Sequence, residues 1–234
     1  MTSPLWDLRL GRWQDVLADV GEVDAVITDP PFSERTASGY RSSNRSNNGT
    51  EGICYGHIDQ AWVDDFVDRW APAARWWFVA FSDHIGQEWY AKALARAGLY
   101  VFAPVAWVKT DSPPRFQGDG PASQIEYLTV ARPRHNMPKS RIGSRPGFYL
   151  AKTQRDNIRI GGKPAAAMRA IVGDYTRPGD LVCDPCAGGG TTLLAASELG
   201  RRSIGAEMDP DTYAKALARL SAGHTPDLFA SLGE

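Results

Sequence analysis

The segment Asp184-Pro185-Cys186-Ala187-Gly188-Gly189-Gly190-Thr191-Thr192 lies between a short apolar run, Leu181 to Cys183, and a stretch of helical spacing, Thr191 to Leu199. Glycines at such a strand-to-helix turn let the backbone approach a ligand closely, at the sheet end where α/β proteins bind nucleotides. The turn has no Gly-Lys-Ser/Thr of a P-loop, and Leu193 stands where a dinucleotide fingerprint has its third glycine. The next predicted strand, Ser203 to Glu207, runs into Met208-Asp209-Pro210. An acid at the tip of this second strand can accept hydrogen bonds from both ribose hydroxyls of an adenosine-containing cofactor, which makes Glu207 the candidate. Asp209 is expected to cap the helix that follows, Asp211 to Leu220.

Upstream, the same alternation continues. Asp24-Ala-Val-Ile-Thr28 reads as a buried strand stopped by Pro30 and Pro31, and residues 33 to 52 as a mobile polar loop. Helices are predicted over 60 to 70 and 87 to 97, the second ended by Gly98, and strands over 75 to 81, 99 to 108 and 125 to 131. A helix begins at Pro164. Strands alternating with helices predict an α/β fold with a mostly parallel sheet covered on both faces.

Asp29-Pro30-Pro31-Phe32 therefore sits at the same carboxyl edge of the sheet as the glycine turn. An exocyclic amino nitrogen is a poor nucleophile because its lone pair is delocalised into the ring. A carboxylate and a backbone carbonyl that each accept one N–H favour the pyramidal nitrogen of the transition state and take up its developing positive charge. Asp29 and the Pro30 carbonyl are the candidates for these acceptors. Pro31 fixes its own φ and restricts Pro30 to extended conformations. Phe32 offers a flat face for a base drawn out of its duplex. A plain Pro-Pro turn with Phe32 in the core is the competing reading.

The chain has 234 residues, enough for one domain with a core of its own. No apolar run approaches the ~18 residues of a membrane span. The amino-terminal residues show no basic stretch followed by an apolar one, so a cytoplasmic location is expected. Cys54, Cys183 and Cys186 are odd in number, which suits a reducing compartment. Cys183 and Cys186 have C-x-x-C spacing, but no second ligand pair completes a metal site, and Cys183 is expected inside a strand. The net charge of −1 hides an asymmetry: residues 131 to 163 hold nine Lys or Arg against one acid, a local +8 that leaves about −9 for the rest. A basic block this dense is what phosphate neutralisation requires, with Arg132, Arg134, Lys139, Arg141, Arg145, Lys152 and Arg155 as candidate DNA contacts.

Together these motifs resemble the N6-adenine and N4-cytosine DNA methyltransferases, which pair an Asp/Ser-Pro-Pro-aromatic loop with an Asp-Pro-Phe-x-Gly-Ser-Gly-Thr-Thr cofactor motif. Trp107-Val-Lys109, Glu126-Tyr127 and Lys163-Pro164 extend the likeness over nearly the whole chain. Because the catalytic loop precedes the cofactor motif, the order is that of the permuted β group. The resemblance implies a seven-stranded, Rossmann-like methyltransferase sheet in a single domain. It divides the chain into a catalytic half over 1–130, a target-recognition insert over about 131–160 and a cofactor half over about 161–234. It further implies S-adenosylmethionine as cofactor, held by Asp184, Pro185, Ala187, Gly188, Gly190, Thr191, Thr192, Glu207, Met208 and Lys163.

The chain departs from the family pattern where Gly11-Arg12 replaces a Gly-Asp pair and Arg159 replaces a histidine. Its recognition insert is also short, so a partner or dimerisation is expected to complete DNA binding. Asp-Pro-Pro is associated with adenine and Ser-Pro-Pro with cytosine, so transfer to adenine N6 is the expectation, N4-cytosine the alternative. A catalytically silent nucleic-acid-binding protein of the same fold is the rival from another class, and RNA or protein the rival substrates. No metal or membrane is expected.

Overall fold

The computed structural model describes residues 4–33, 58–111, 121–135, 137–141, 143–153 and 162–223. One sheet runs through both halves of the chain. Its strands are β1 (Trp6–Leu10), β2 (Val23–Thr28), β3 (Ala74–Ser82), β4 (Tyr100–Val101), β5 (Val105–Lys109), β6 (Ile125–Arg132), β7 (Phe148–Ala151), β8 (Leu181–Asp184) and β9 (Arg202–Glu207), in the order β1-β9-β8-β2-β3-β6-β5-β7, with β4 also on β6. The run from β1 to β3 is parallel throughout, and β6 is antiparallel to β3, β4 and β5. β2 from the first half thus lies between β3 and β8, so the two motifs 150 residues apart end up on adjacent strands.

The helices are α1 (Trp13–Val16), α2 (Gln60–Trp70), α3 (His84–Arg96), α4 (Ala165–Tyr175), α5 (Thr191–Glu198) and α6 (Pro210–Gly223). Successive residues of a strand face opposite ways, and here both ways are core. Val26, Phe78 and Ala80 pack with Phe66, Trp70, Tyr90 and Leu94 of α2 and α3. Ala25, Ile27, Trp77, Val79 and Phe81 pack on the other face with Met168, Ile171 and Val172 of α4 and with Ala195 of α5. This is why β2 and β3 read as continuous apolar runs rather than alternating ones. A third cluster joins Leu8 and Leu193 to Ala216 and Leu220 of α6.

Among the described residues the sheet has nine strands rather than the seven that the resemblance implies, and three more than the six strands read from the sequence itself. β1 was not legible in the sequence because it is an edge strand with only Leu8 buried, held by its pairing with β9. The strand expected over 99 to 108 is split in two. Pro104 has no N–H for the ladder, and the pairing on β6 slips by one residue across it, from Val101 opposite Ala131 to Val105 opposite Leu128. β7 lies inside the basic block, where only Tyr149 of its four residues is buried, so no period marks it. α3 starts three residues before its expected beginning because the Asp83 side chain accepts the Gly86 N–H at 2.7 Å. The polar loop from residue 34 onward, Cys54, Arg155 and Arg159 lie outside the described residues. No helix among the described residues is long and apolar enough to cross a membrane.

Candidate active site

Because β2, β8, β9 and β1 are parallel, their carboxyl ends meet at one edge. Val26 is level with Cys183, Asp184 with Gly205, and Leu10 with Glu207. Asp29 and the glycine turn are therefore neighbours. They line a small cleft with Gly162, Lys163, Asp184, Cys186, Ala187, Gly188, Gly189, Thr191 and Thr192.

The turn is held from several sides. Gly188 and Gly190 have φ of 53° and 73°, in the left-handed region that favours glycine. The Ala187 N–H donates to the Ala206 carbonyl at 2.9 Å, fastening the turn to β9. Asp184 is buried, and its Oδ1 accepts from Thr28 Oγ1 at 2.8 Å and from the Cys186 N–H at 3.1 Å. Burial pushes its carboxyl up to about 6, against hydrogen bonds from Thr192, Thr28 and Cys186 that favour the anion. Cys183 lies fully inside the strand core, where burial pushes its thiol up.

Not every expected cofactor residue faces the cleft. A Cβ on Gly190 would meet Leu220 and Ala216 of α6, so this glycine serves helix packing. Glu207 is buried one strand further on, where its Oε1 accepts the Asp209 N–H at 2.7 Å and its carbonyl accepts the Gly11 N–H at 2.9 Å. Gly11-Arg12 thus stands beside Glu207, while Met208 is exposed. Asp209 caps α6, its Oδ2 accepting the Thr212 N–H at 2.7 Å.

Around Asp29 the structure shows an arrangement that sequence patterns did not reveal. Asp29 Oδ2 lies 2.7 Å from Lys163 Nζ, Lys163 lies 3.1 Å from Glu126 Oε2, and Glu126 Oε1 lies 2.7 Å from Lys109 Nζ. Four alternating charges form one chain, and Lys109, Glu126 and Lys163 are all buried. Trp107 stands opposite Glu126 in the ladder, so Lys109, two residues on, reaches Glu126 diagonally on the same face. The Lys163 ammonium also lies 5.0–5.8 Å from the ring centroids of Phe32, Phe81 and Trp107. Burial opposes the charge on Lys163, yet Asp29 and Glu126 raise its pKa above the ordinary lysine value. For Glu126, burial is likewise outweighed, and Lys163 and Lys109 lower it. A signal was present in the sequence: Lys109 ends, and Glu126 interrupts, a run of strand-forming apolar residues. Ser33, just past the loop, donates to Asp83 at the end of β3.

The basic block divides into two kinds of residue. Arg141 makes a two-pronged pair with Asp180, at 2.6 and 2.7 Å, and lies over Trp76. Arg145 donates to the Asp174 carbonyl at 3.0 Å and lies over Trp77. Both guanidiniums are committed within the fold, which the picture of a uniformly solvated phosphate-binding surface did not foresee. Arg134, Lys139 and Lys152 are exposed and Arg132 is half-buried.

The DNA methylase family profile, of the N6/N4 methyltransferase type, matches residues 160–218, from just before Lys163 into α6. YubD of Escherichia coli strain K12, a protein named as a methylase, is 37% identical over 210 residues, 86% of this chain and 82% of YubD. Among solved structures, the M1.HpyAVI–SAM complex superposes with a TM-score of 0.67 at 24% identity, over 92% of this chain and 99% of the other. The cytosine-N4-specific PvuII DNA methyltransferase does so with a TM-score of 0.63 at 16% identity, over 95% and 94%.

Proposed function

Since the chain belongs to the N6/N4 DNA methyltransferase family, we propose that it transfers a methyl group to the N6 amino group of adenine in DNA, with Asp29 as the acceptor carboxylate. The observation that carries this reading is the position of Asp29: at the end of β2, lining one cleft with the glycine turn and Asp184. S-adenosylmethionine, when bound, supplies an electrophilic methyl on a sulfonium, and the donor set suits it. The cleft offers a buried carboxylate for a cationic ligand, and Gly188 and Gly189 let the backbone approach.

Asp29 accepts one N–H of the target amino group and the Pro30 carbonyl the other. The nitrogen lone pair is thereby directed out of the ring plane, and the charge that develops on nitrogen is met by a carboxylate already in place. No covalent bond to the protein forms: as the nitrogen takes the methyl, the methyl–sulfur bond breaks to leave a neutral thioether, and the nitrogen gives one proton to the Asp29 carboxylate. Pro31 stiffens the loop, and Phe32 provides the stacking face for the base. Lys163 anchors Asp29 from the side of α4. Ala187, Thr191 and Thr192 shape the cofactor side of the cleft, Pro185 lies in the turn behind them, and Glu207 takes the ribose hydroxyls. The insert over about 131–160, through Arg132, Arg134, Lys139 and Lys152, contacts phosphates.

Adenine is preferred because the tetrapeptide opens on Asp rather than Ser. The N4-cytosine reading is favoured by one observation: the same sheet is shared with a cytosine-N4-specific enzyme, and the two acceptors fit either base. Incubation with labelled S-adenosylmethionine and DNA, followed by mass analysis of the nucleosides, tests both. N6-methyladenine supports the proposal, N4-methylcytosine alone transfers it to cytosine, and no label in DNA overturns it. Asp29→Ala should lower turnover by about 10²–10³-fold, the scale of losing one polar group at the reacting centre, while cofactor binding survives.

A further inference from the structure

Lys109, Glu126 and Lys163 are buried charges, and burial of an ion pair is weak ground for stability, since well-packed apolar residues do as well or better. Perturbed titratable groups gathered at a cleft mark a functional-site candidate. Here the chain starts at β5, crosses β6 and Lys163, and ends on Asp29. We propose that Glu126 and Lys109 are positioning residues for the reaction: through Lys163 they hold the Asp29 carboxylate at the cleft in the orientation that accepts the amino group.

The geometry explains why two further charges are needed. Lys163 alone beside Asp29 would leave a full ammonium beside the carboxylate and weaken it as an acceptor for developing positive charge. Glu126, 3.1 Å away on the other side, shares that ammonium. Glu126 in turn would be an unbalanced buried anion without Lys109 at 2.7 Å. Two acids and two bases leave the chain electrically neutral. Phe32, Phe81 and Trp107 surround the shared ammonium and confine it to the line between the two carboxylates.

The inference rests on the reading of Asp29 as acceptor, but it can be judged without turnover. Among the described residues, the other titratable groups facing Asp29 include Asp184 on β8, Cys186 in the same cleft and Tyr90 on α3. All three are left intact in the variants. The Asp29 carboxyl can be followed by carbon NMR in protein labelled at the aspartate carboxyls, with Asp29→Asn assigning its resonance. Lys163→Met should raise its titration midpoint by about one to three pH units, the scale of losing an opposite charge. Glu126→Gln should move it the other way, because Lys163 is no longer shared, and should lower kcat by about tenfold while the affinity for S-adenosylmethionine changes less than about twofold.

The double variant Lys109→Met/Glu126→Gln removes an opposite-charge pair together, a change that packing tolerates better than loss of one partner. It guards against a single variant that does not fold. It should also lower the Asp29 midpoint, because Glu126 is the nearer of the two to Lys163, and should lower kcat. Wild-type titration and kcat in Glu126→Gln or in the double variant would overturn the proposal. So would a rise in the midpoint in both Lys163→Met and Glu126→Gln. Absence of methyl transfer by the unaltered protein counts against the reaction instead, and the titration still judges the relay.

Discussion

Thr28 donates its hydroxyl hydrogen to Asp184 Oδ1 at 2.8 Å, across 156 residues of chain, and so joins the end of β2 to the start of the glycine turn. Both side chains are buried, and the bond ties the residue before Asp29 to the residue that opens the glycine turn. Thr28→Val keeps the shape and removes the donor. A buried acceptor that loses a partner costs about 1–3 kcal/mol, so the urea midpoint should fall accordingly. An unchanged midpoint would show that the bond does not contribute.

Asp184 also carries a pH prediction. Burial raises its carboxyl to about 6, and a cationic ligand beside it favours the anion, so affinity for S-adenosylmethionine should fall as pH is lowered from 7 to 5. Thr28→Val, which removes a bond favouring the anion, should move that fall to higher pH. Asp184→Asn should flatten it. For stability the sign is opposite to that of a salt-bridged acid. A folded-state value above the ordinary 3.8 means a contribution present below about 4 and lost as pH rises through 6. Calorimetric titrations and unfolding scans across this range check both.

Gly205 of β9 faces the turn without room for a side chain. A Cβ there would stand 2.8 Å from the Asp184 carbonyl oxygen and 3.0 Å from both Ala187 and Leu193. Gly205→Ala must push the turn outward, at about 1–3 kcal/mol. The expected result is a lower Tm together with weaker cofactor binding. A lower Tm with unaltered binding would place the strain elsewhere.

The two kinds of basic residue in the insert should separate experimentally. Arg141→Ala breaks the two-pronged pair with Asp180, whose side chains are 16% and 7% exposed, and should cost about 2 kcal/mol, below the 3–5 of full burial. Lys139→Ala and Lys152→Ala should leave stability unchanged. Each should instead reduce the slope of log binding constant against log salt by about one. DNA binding measured from 50 to 200 mM salt would show whether the exposed lysines contact phosphate.

The alternation of strands and helices, the glycine turn, the acid at the next strand tip, the Asp209 cap and the Asp29 loop were all legible because each depends on residues close in sequence. A left-handed turn needs Gly188, a strand end needs Pro30, and a helix start needs its cap within three residues. β1 and β7 were illegible for a related reason: edge strands bury one residue each, and pairing with a distant strand rather than side-chain period makes them strands.

What only the tertiary structure decided is which charges meet. The order of strands brings β2 against β8 and sets Lys109 and Glu126 behind Lys163, so residues from four separate parts of the chain form one neutral line ending on Asp29. The same folding commits Arg141 and Arg145 to the protein's own acceptors and leaves Lys139 and Lys152 to solvent. Electrostatic partnership acts through space over a few ångströms, and a linear sequence carries distance only along the chain.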